Sequence, residues 1–218
     1  MFHVVQRSIL GGEPFAATLA AMTLPCRKEI SMFQTIHRVF LLALSLFLLA
    51  PLSHGQTSAA LPPELAKVRT ALEKYKDPIT AVREGYLSTV GCIAYPSGGM
   101  GVHFLNPSLI SPQPDPMKPQ ILLYEPDGDK LRLVGAEWFI PLATGVKERP
   151  QLFGHPFDGP MEGHYPLLPT ELHHYDLHVW LFKPNPSGMF TSTNPSLKCP
   201  AKGYSFQEAA PPKMVSAH

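Results

Sequence analysis

No run of basic residues interrupts this sequence, and its 18 Lys and Arg nearly balance its 17 Asp and Glu, for a formal net charge of +1. A chain of that kind carries no patch able to neutralise a phosphate backbone, so nucleic acid is not expected as a partner. A Gly-rich phosphate loop, a GxSxG nucleophile elbow and an HExxH zinc motif are also missing, and there is no internal repeat. Cysteine is scarce, at three residues: Cys26, Cys92 and Cys199. Proline is not, at 25 of 218 residues, so long proline-spaced loops are expected between short elements.

The apolar stretch Val39–Leu52 is free of charge but falls short of the ~20 residues needed to cross a bilayer. His37-Arg38 precede it and the small residues Ser53 and Gly55 follow, the pattern of a secretory signal. Met32 opens that signal, so residues 32–55 read as signal peptide and residues 1–31 as an over-extended start. Cleavage is expected after Gly55, with Ala59 and Ala60 as the next choices, and no membrane span is expected to remain. A periplasmic or secreted location follows. Removal of Cys26 with the leader leaves Cys92 and Cys199, an even pair that reads as a disulfide in an oxidising compartment. The rival reading of the two thiols is a pair of metal ligands, although neither lies in a CxxC or Cys-x-His pattern.

Residues 56–202 read as a single α+β domain and residues 203–218 as a disordered tail. Pro62-Pro63-Glu64 begins a helix whose apolar positions Leu65, Val68, Leu72 and Tyr75 keep helical spacing. Asp77-Pro78 restarts a second helix, which Ile79, Val82, Tyr86, Leu87 and Val90 carry to about Thr89. After Cys92 the pattern changes. Pro96–Gly101 reads as a flexible loop and Val102–Leu105 as a short strand. Gln120–Glu125 and Lys130–Ile140 form a hairpin about the turn Pro126–Asp129, and Tyr175–Phe182 is the last strand. The expected architecture is therefore an N-terminal helix pair packed on a small, mostly antiparallel sheet.

Three strands each carry one polar residue able to bind metal or transfer a proton. His103 shares a face with Leu105. Glu137 shares one with Gly135 and Phe139, and His178 shares one with Asp176, Trp180 and Phe182. An ionisable group in a strand that is apolar on both faces is costly unless it is paired or liganded. Gly135 is expected to leave open space beside Glu137, where a ligand can approach. Two histidines and a carboxylate from adjacent strands form a known donor set for a divalent metal with open positions. The same trio also suits acid–base work without metal. Against both stands the reading in which the histidines bond backbone carbonyls and Glu137 pairs with Arg132 or Lys130. His155, His164, His173 and His174 fall in the long loop after Pro141. Of the adjacent pair His173-His174, only one can readily enter a common site.

Met100–Phe104, Leu122–Pro126, Gly135–Trp138, Leu152–Gly154, Leu177–Trp180, Asn185–Phe190, Asn194-Pro195 and Cys199 together resemble blocks of a family of exported bacterial proteins of uncharacterised activity. The resemblance runs over roughly residues 81–200 and implies that these blocks belong to one domain. It brings no activity, substrate or cofactor. The leading expectation is an exported binding domain that holds a divalent metal or small polar ligand in a pocket lined by His103, Glu137 and His178. The alternatives are an enzyme using the same trio, as a metal-assisted hydrolase or oxygenase or by acid–base chemistry, and a structural protein in which all three are satisfied core groups.

Overall fold

The computed structural model describes residues 60–216. The leader assigned from the sequence to residues 1–55 lies outside them. The first element is helix α1, Pro63–Leu72, with proline in its first turn, Glu64 at its positive end and Leu65, Val68 and Leu72 buried. A 3-10 turn over Glu73–Lys76 extends it and buries Tyr75. Asp77 then caps a short helix, α2, Pro78–Arg83, its carboxylate accepting from the Ile79 amide at 3.0 Å.

The expected α+β architecture, a helix pair on a small sheet, is not what forms. The described residues are mostly β, with a seven-stranded sheet curled into a half-barrel and one helix of substance among them. The second helix stops after Arg83, well before Thr89, and Leu87 begins a strand. Its supposed apolar face is not buried: Ile79 is 54% and Val82 46% exposed. Tyr86 of that pattern is drawn into the core, where its hydroxyl donates to the Pro119 carbonyl at 2.8 Å. Helical spacing in Ile79–Val90 was outweighed by the strand preference of Leu87-Ser-Thr-Val and the hairpin partner that follows.

That hairpin joins β1, Leu87–Tyr95, to β2, Gly98–Leu105, so the glycine-rich stretch expected to be a loop is largely paired strand. The second hairpin, β3 (Ile121–Asp127) with β4 (Lys130–Pro141), turns where the sequence placed it, with Asp127 opposite Lys130. Two short strands, β5 (Gln151–Leu152) and β6 (His155–Pro156), pair only with each other. Strands β7 (Asp158–Met161), β8 (His174–Val179) and β9 (Ser205–Gln207) complete the large sheet. Its order is β7-β8-β4-β3-β2-β1-β9, antiparallel except for β1 with β9.

Cys92 in β1 is bonded to Cys199 across a sequence separation of 107. Chain-entropy arguments give a loop of roughly 100 residues about 4–5 kcal/mol of stabilisation. The bond also brings the following residues alongside β1. The segment expected to be a disordered tail instead supplies β9. Beyond it, Glu162 donates to the Lys213 carbonyl and Val215 to the Pro160 carbonyl, each at 2.9 Å. Among the described residues no helix is long and apolar enough to cross a membrane.

Strand alternation gives the sheet two unlike faces. Val102, Phe104, Leu122, Tyr124, Ala136, Trp138, Leu177 and Val179 are buried in the main core with the α1 residues. The Tyr124 hydroxyl ties that face to the helical segment by donating to the Tyr75 carbonyl at 2.6 Å. The opposite face holds the ionisable residues, and the loop between β7 and β8 covers it.

Candidate metal centre

Register places the expected trio. Leu105 pairs with Ile121 and Ile121 with Glu137, while His103 pairs with Leu123 two residues along the same face. Glu137 lies directly opposite His178 on β8. The three side chains meet, each no more than 3% exposed. Glu137 Oε2 stands 3.3 Å from His103 Nε2 and 3.3 Å from His178 Nε2, yet it makes no hydrogen bond to either ring. No Lys or Arg among the described residues pairs with Glu137: Arg132 pairs instead with Glu125, at 3.0 Å, and Lys183 with the same carboxylate at 3.1 Å. The surface ion pair weighed for Glu137 therefore does not form.

Gly135 does not open space for a ligand. A Cβ there would lie 2.6 Å from the Val179 carbonyl oxygen, so the glycine permits close passage of the chain's own backbone.

A second group of ionisable residues adjoins the first. Strand β8 presents His174, Asp176 and His178 on one face, and the covering loop supplies His164. Asp176 Oδ2 lies 3.6 Å from His174 Nε2 and 3.9 Å from His164 Nε2, and Oδ1 lies 3.8 Å from His178 Nδ1. The loop is drawn tight beside His164: a Cβ on Gly163 would sit 1.8 Å from the Pro169 carbonyl oxygen, so only glycine fits there. His164 Nδ1 and the Tyr95 hydroxyl are 2.9 Å apart. His155, by contrast, is exposed and stacks on Phe190 with ring centroids 3.6 Å apart, and His173 is only half-buried. The sequence named His164 and His174 only among four histidines of the long loop, a weaker cluster than the strand trio. It noted Asp176 only as a neighbour of His178.

The electrostatics couple the two groups. Burial opposes a charged imidazole at His178, but the carboxylates of Glu137 and Asp176 prevail and push its pKa up to about 9. Burial likewise opposes the Glu137 carboxylate, and His178 and His103 outweigh it to hold that pKa below the ordinary value. Asp176 is also buried, yet His174 and His178 hold its carboxyl well below the usual range. His164 behaves differently, because burial dominates and lowers its pKa to about 4 in spite of Asp176.

Hydrogen-bond satisfaction separates this region from the rest of the described residues. Buried Gln120 accepts from the Phe139 amide and donates to the Leu109 carbonyl, and buried Glu125 accepts from Arg132, Lys183 and the Lys198 amide. Among the described residues, the buried side-chain polar atoms without a hydrogen-bond partner are His103 Nδ1, Glu137 Oε2, Asp176 Oδ1 and both ring nitrogens of His178. Each such atom costs about 1–3 kcal/mol, more when charged. They are concentrated at one place, among groups that could hold a metal ion. Between the two groups lies a cavity of about 20 Å³, lined by His103, Glu137, His164, His174, Phe139 and Leu168 among others. That is room for one water-sized or ion-sized body.

The class is thus a mostly β protein with buried His/Glu and His/Asp groups that can hold a metal ion. Compared with family models, with curated proteins and with solved structures, the chain matches none.

Proposed function

We propose that this chain is an exported protein that binds a divalent transition-metal ion through His103, Glu137 and His178. One observation carries the reading: Glu137 Oε2 sits equally far, 3.3 Å, from two imidazole nitrogens and bonds to neither. Donor atoms around a tetrahedral ion with bonds of about 2.0–2.1 Å lie about 3.3–3.4 Å apart. The spacing is that of ligands around a common centre. Two imidazoles and one carboxylate favour a first-row divalent ion over calcium or magnesium, whose sites are built from oxygen, and the ion would displace the proton that His178 holds in the metal-free protein.

Export is supported by the uncharged apolar segment Val39–Leu52 and by the Cys92–Cys199 bond, which persists in oxidising compartments. Membership of the exported bacterial family that its sequence blocks resemble is part of the same proposal. Metal analysis of protein recovered from the exported fraction is the test. The intact chain is expected to retain a first-row metal, and His103→Gln to carry an ion less per chain with its near-ultraviolet spectrum unchanged. A wild-type protein that holds no metal as isolated, and takes up neither Zn²⁺ nor Mn²⁺ afterwards, overturns the reading.

A further inference from the structure

His164, His174 and Asp176 are a second set of buried donors, their ligand atoms within 4.8 Å of one another. Tautomer logic indicates what they lack. His174 Nδ1 lies 3.2 Å from the Leu172 carbonyl oxygen, which can only accept, so Nδ1 carries the proton in that bond. In the neutral ring, Nε2 then points a lone pair at Asp176 Oδ2, 3.6 Å away. The Tyr95 hydroxyl occupies Nδ1 of His164, leaving its Nε2 facing the same carboxylate oxygen at 3.9 Å. Both separations exceed a hydrogen bond. With the Tyr95 hydroxyl oxygen accepting from His164 Nδ1–H, both Nε2 atoms offer lone pairs, and with the carboxylate they converge without contact, a set complementary to a cation. The partners on the far nitrogens are of the kind that orient histidine ligands in metal sites.

The surroundings differ from those of the first trio. Asp176 and His164 form part of the wall of a cavity of about 380 Å³, which Tyr95, Met161, Thr193 and Met214 also line. Pro211 and Pro212 close one side of it, in the segment tied down by the bonds of Lys213 and Val215. Three protein donors leave at least one coordination position of a bound ion open. A divalent ion with one carboxylate ligand keeps a positive charge, which favours an anionic oxygen donor as the next ligand.

We propose that His164, His174 and Asp176 hold a second divalent metal ion whose open coordination faces the larger cavity and accepts a small organic anion. The anion is of the carboxylate or hydroxamate class, its apolar body lying against the methionines and prolines of the wall. This site does not require the first trio to be occupied.

Equilibrium dialysis against Zn²⁺ tests it, using the intact exported chain, His164→Gln and His103→Gln. The expected result is two ions per chain in the wild type and one in each variant. A single ion kept in His164→Gln but lost in His103→Gln overturns the second site and leaves the first standing. A single ion with the opposite pattern supports the second site and removes the first. A single ion lost in both variants means one shared centre and overturns the two-site proposal, as does a wild type that binds none. Open coordination is read from the visible spectrum of Co²⁺-loaded protein on addition of acetohydroxamic acid. The spectrum is expected to shift in the wild type and in His103→Gln. No shift in either overturns the open position. Should His164→Gln not fold, Tyr95→Phe replaces it: loss of the orienting hydroxyl is expected to weaken one of the two ions about tenfold. Two unchanged affinities in that variant contradict the assignment.

Discussion

The two triads share a sheet face and a boundary, yet they are built in different ways. The inner one, His103, Glu137 and His178, draws all its donors from strands, and its close 3.3 Å spacings are not backed by hydrogen bonds on the far nitrogens. The outer one takes His164 from a loop, has wider spacings, and has a backbone carbonyl or a tyrosine hydroxyl behind each histidine. Only the outer triad borders a cavity large enough for a small molecule. Strands fix distances to the register of the sheet, whereas a loop can hold a ligand at the mouth of a pocket. On the proposals above, the inner triad would retain an ion and the outer would exchange a ligand.

The sharpest way to break that comparison is to remove each carboxylate. Asp176 is the common acid of three imidazoles, so Asp176→Asn in metal-free protein is expected to lower the unfolding free energy by about 3–5 kcal/mol in urea titrations. Glu137→Gln leaves Asp176 to compensate His178 and is expected to cost less, about 1–3 kcal/mol. Equal losses, or the reverse order, contradict the shared role of Asp176.

Opposite responses to pH sharpen it further. His178 has a folded pKa of about 9 against an ordinary 6.5, so the stability it contributes is full below pH 6.5 and lost as pH rises toward 9. His164 is shifted the other way, to about 4, so its contribution is full above pH 6.5 and lost as pH falls toward 4. Glu137 and Asp176, both lowered, also lose their contribution on the acid side. In metal-free protein, His178→Gln is therefore expected to flatten the alkaline slope of stability and His164→Gln to reduce the acid slope. Unfolding midpoints between pH 4 and 9 would show it, and a variant that flattens the opposite limb goes against the assignment. The smallest effect belongs to the exposed His155, where His155→Ala is expected to change stability by no more than about 0.5 kcal/mol and metal content not at all.

The inner triad was legible in the sequence because strand alternation is strict: His103, Glu137 and His178 are ionisable residues set among apolar ones, and a period of two assigns each to a face. The disulfide was legible by elimination of Cys26. The outer triad was not. His174 stands one residue before the strand read from the sequence, and His164 reaches the site through a loop whose path depends on Gly163 against Pro169 and on Tyr95. Neither contact leaves a periodic trace. The second helix failed for a related reason, since Ile79, Val82, Tyr86 and Val90 keep helical spacing while the pairing of β1 with β2 decides the outcome. Close approach of β4 to Val179 similarly explains Gly135 without any ligand.

The most direct test of the inner centre is anomalous diffraction from crystals of the protein loaded with Zn²⁺, collected on both sides of the zinc edge. The account predicts a peak about 2.0–2.2 Å from Nε2 of His103, Nε2 of His178 and a carboxylate oxygen of Glu137. Density showing Glu137 hydrogen-bonded directly to both histidines, with no anomalous peak between them at saturating zinc, would contradict it.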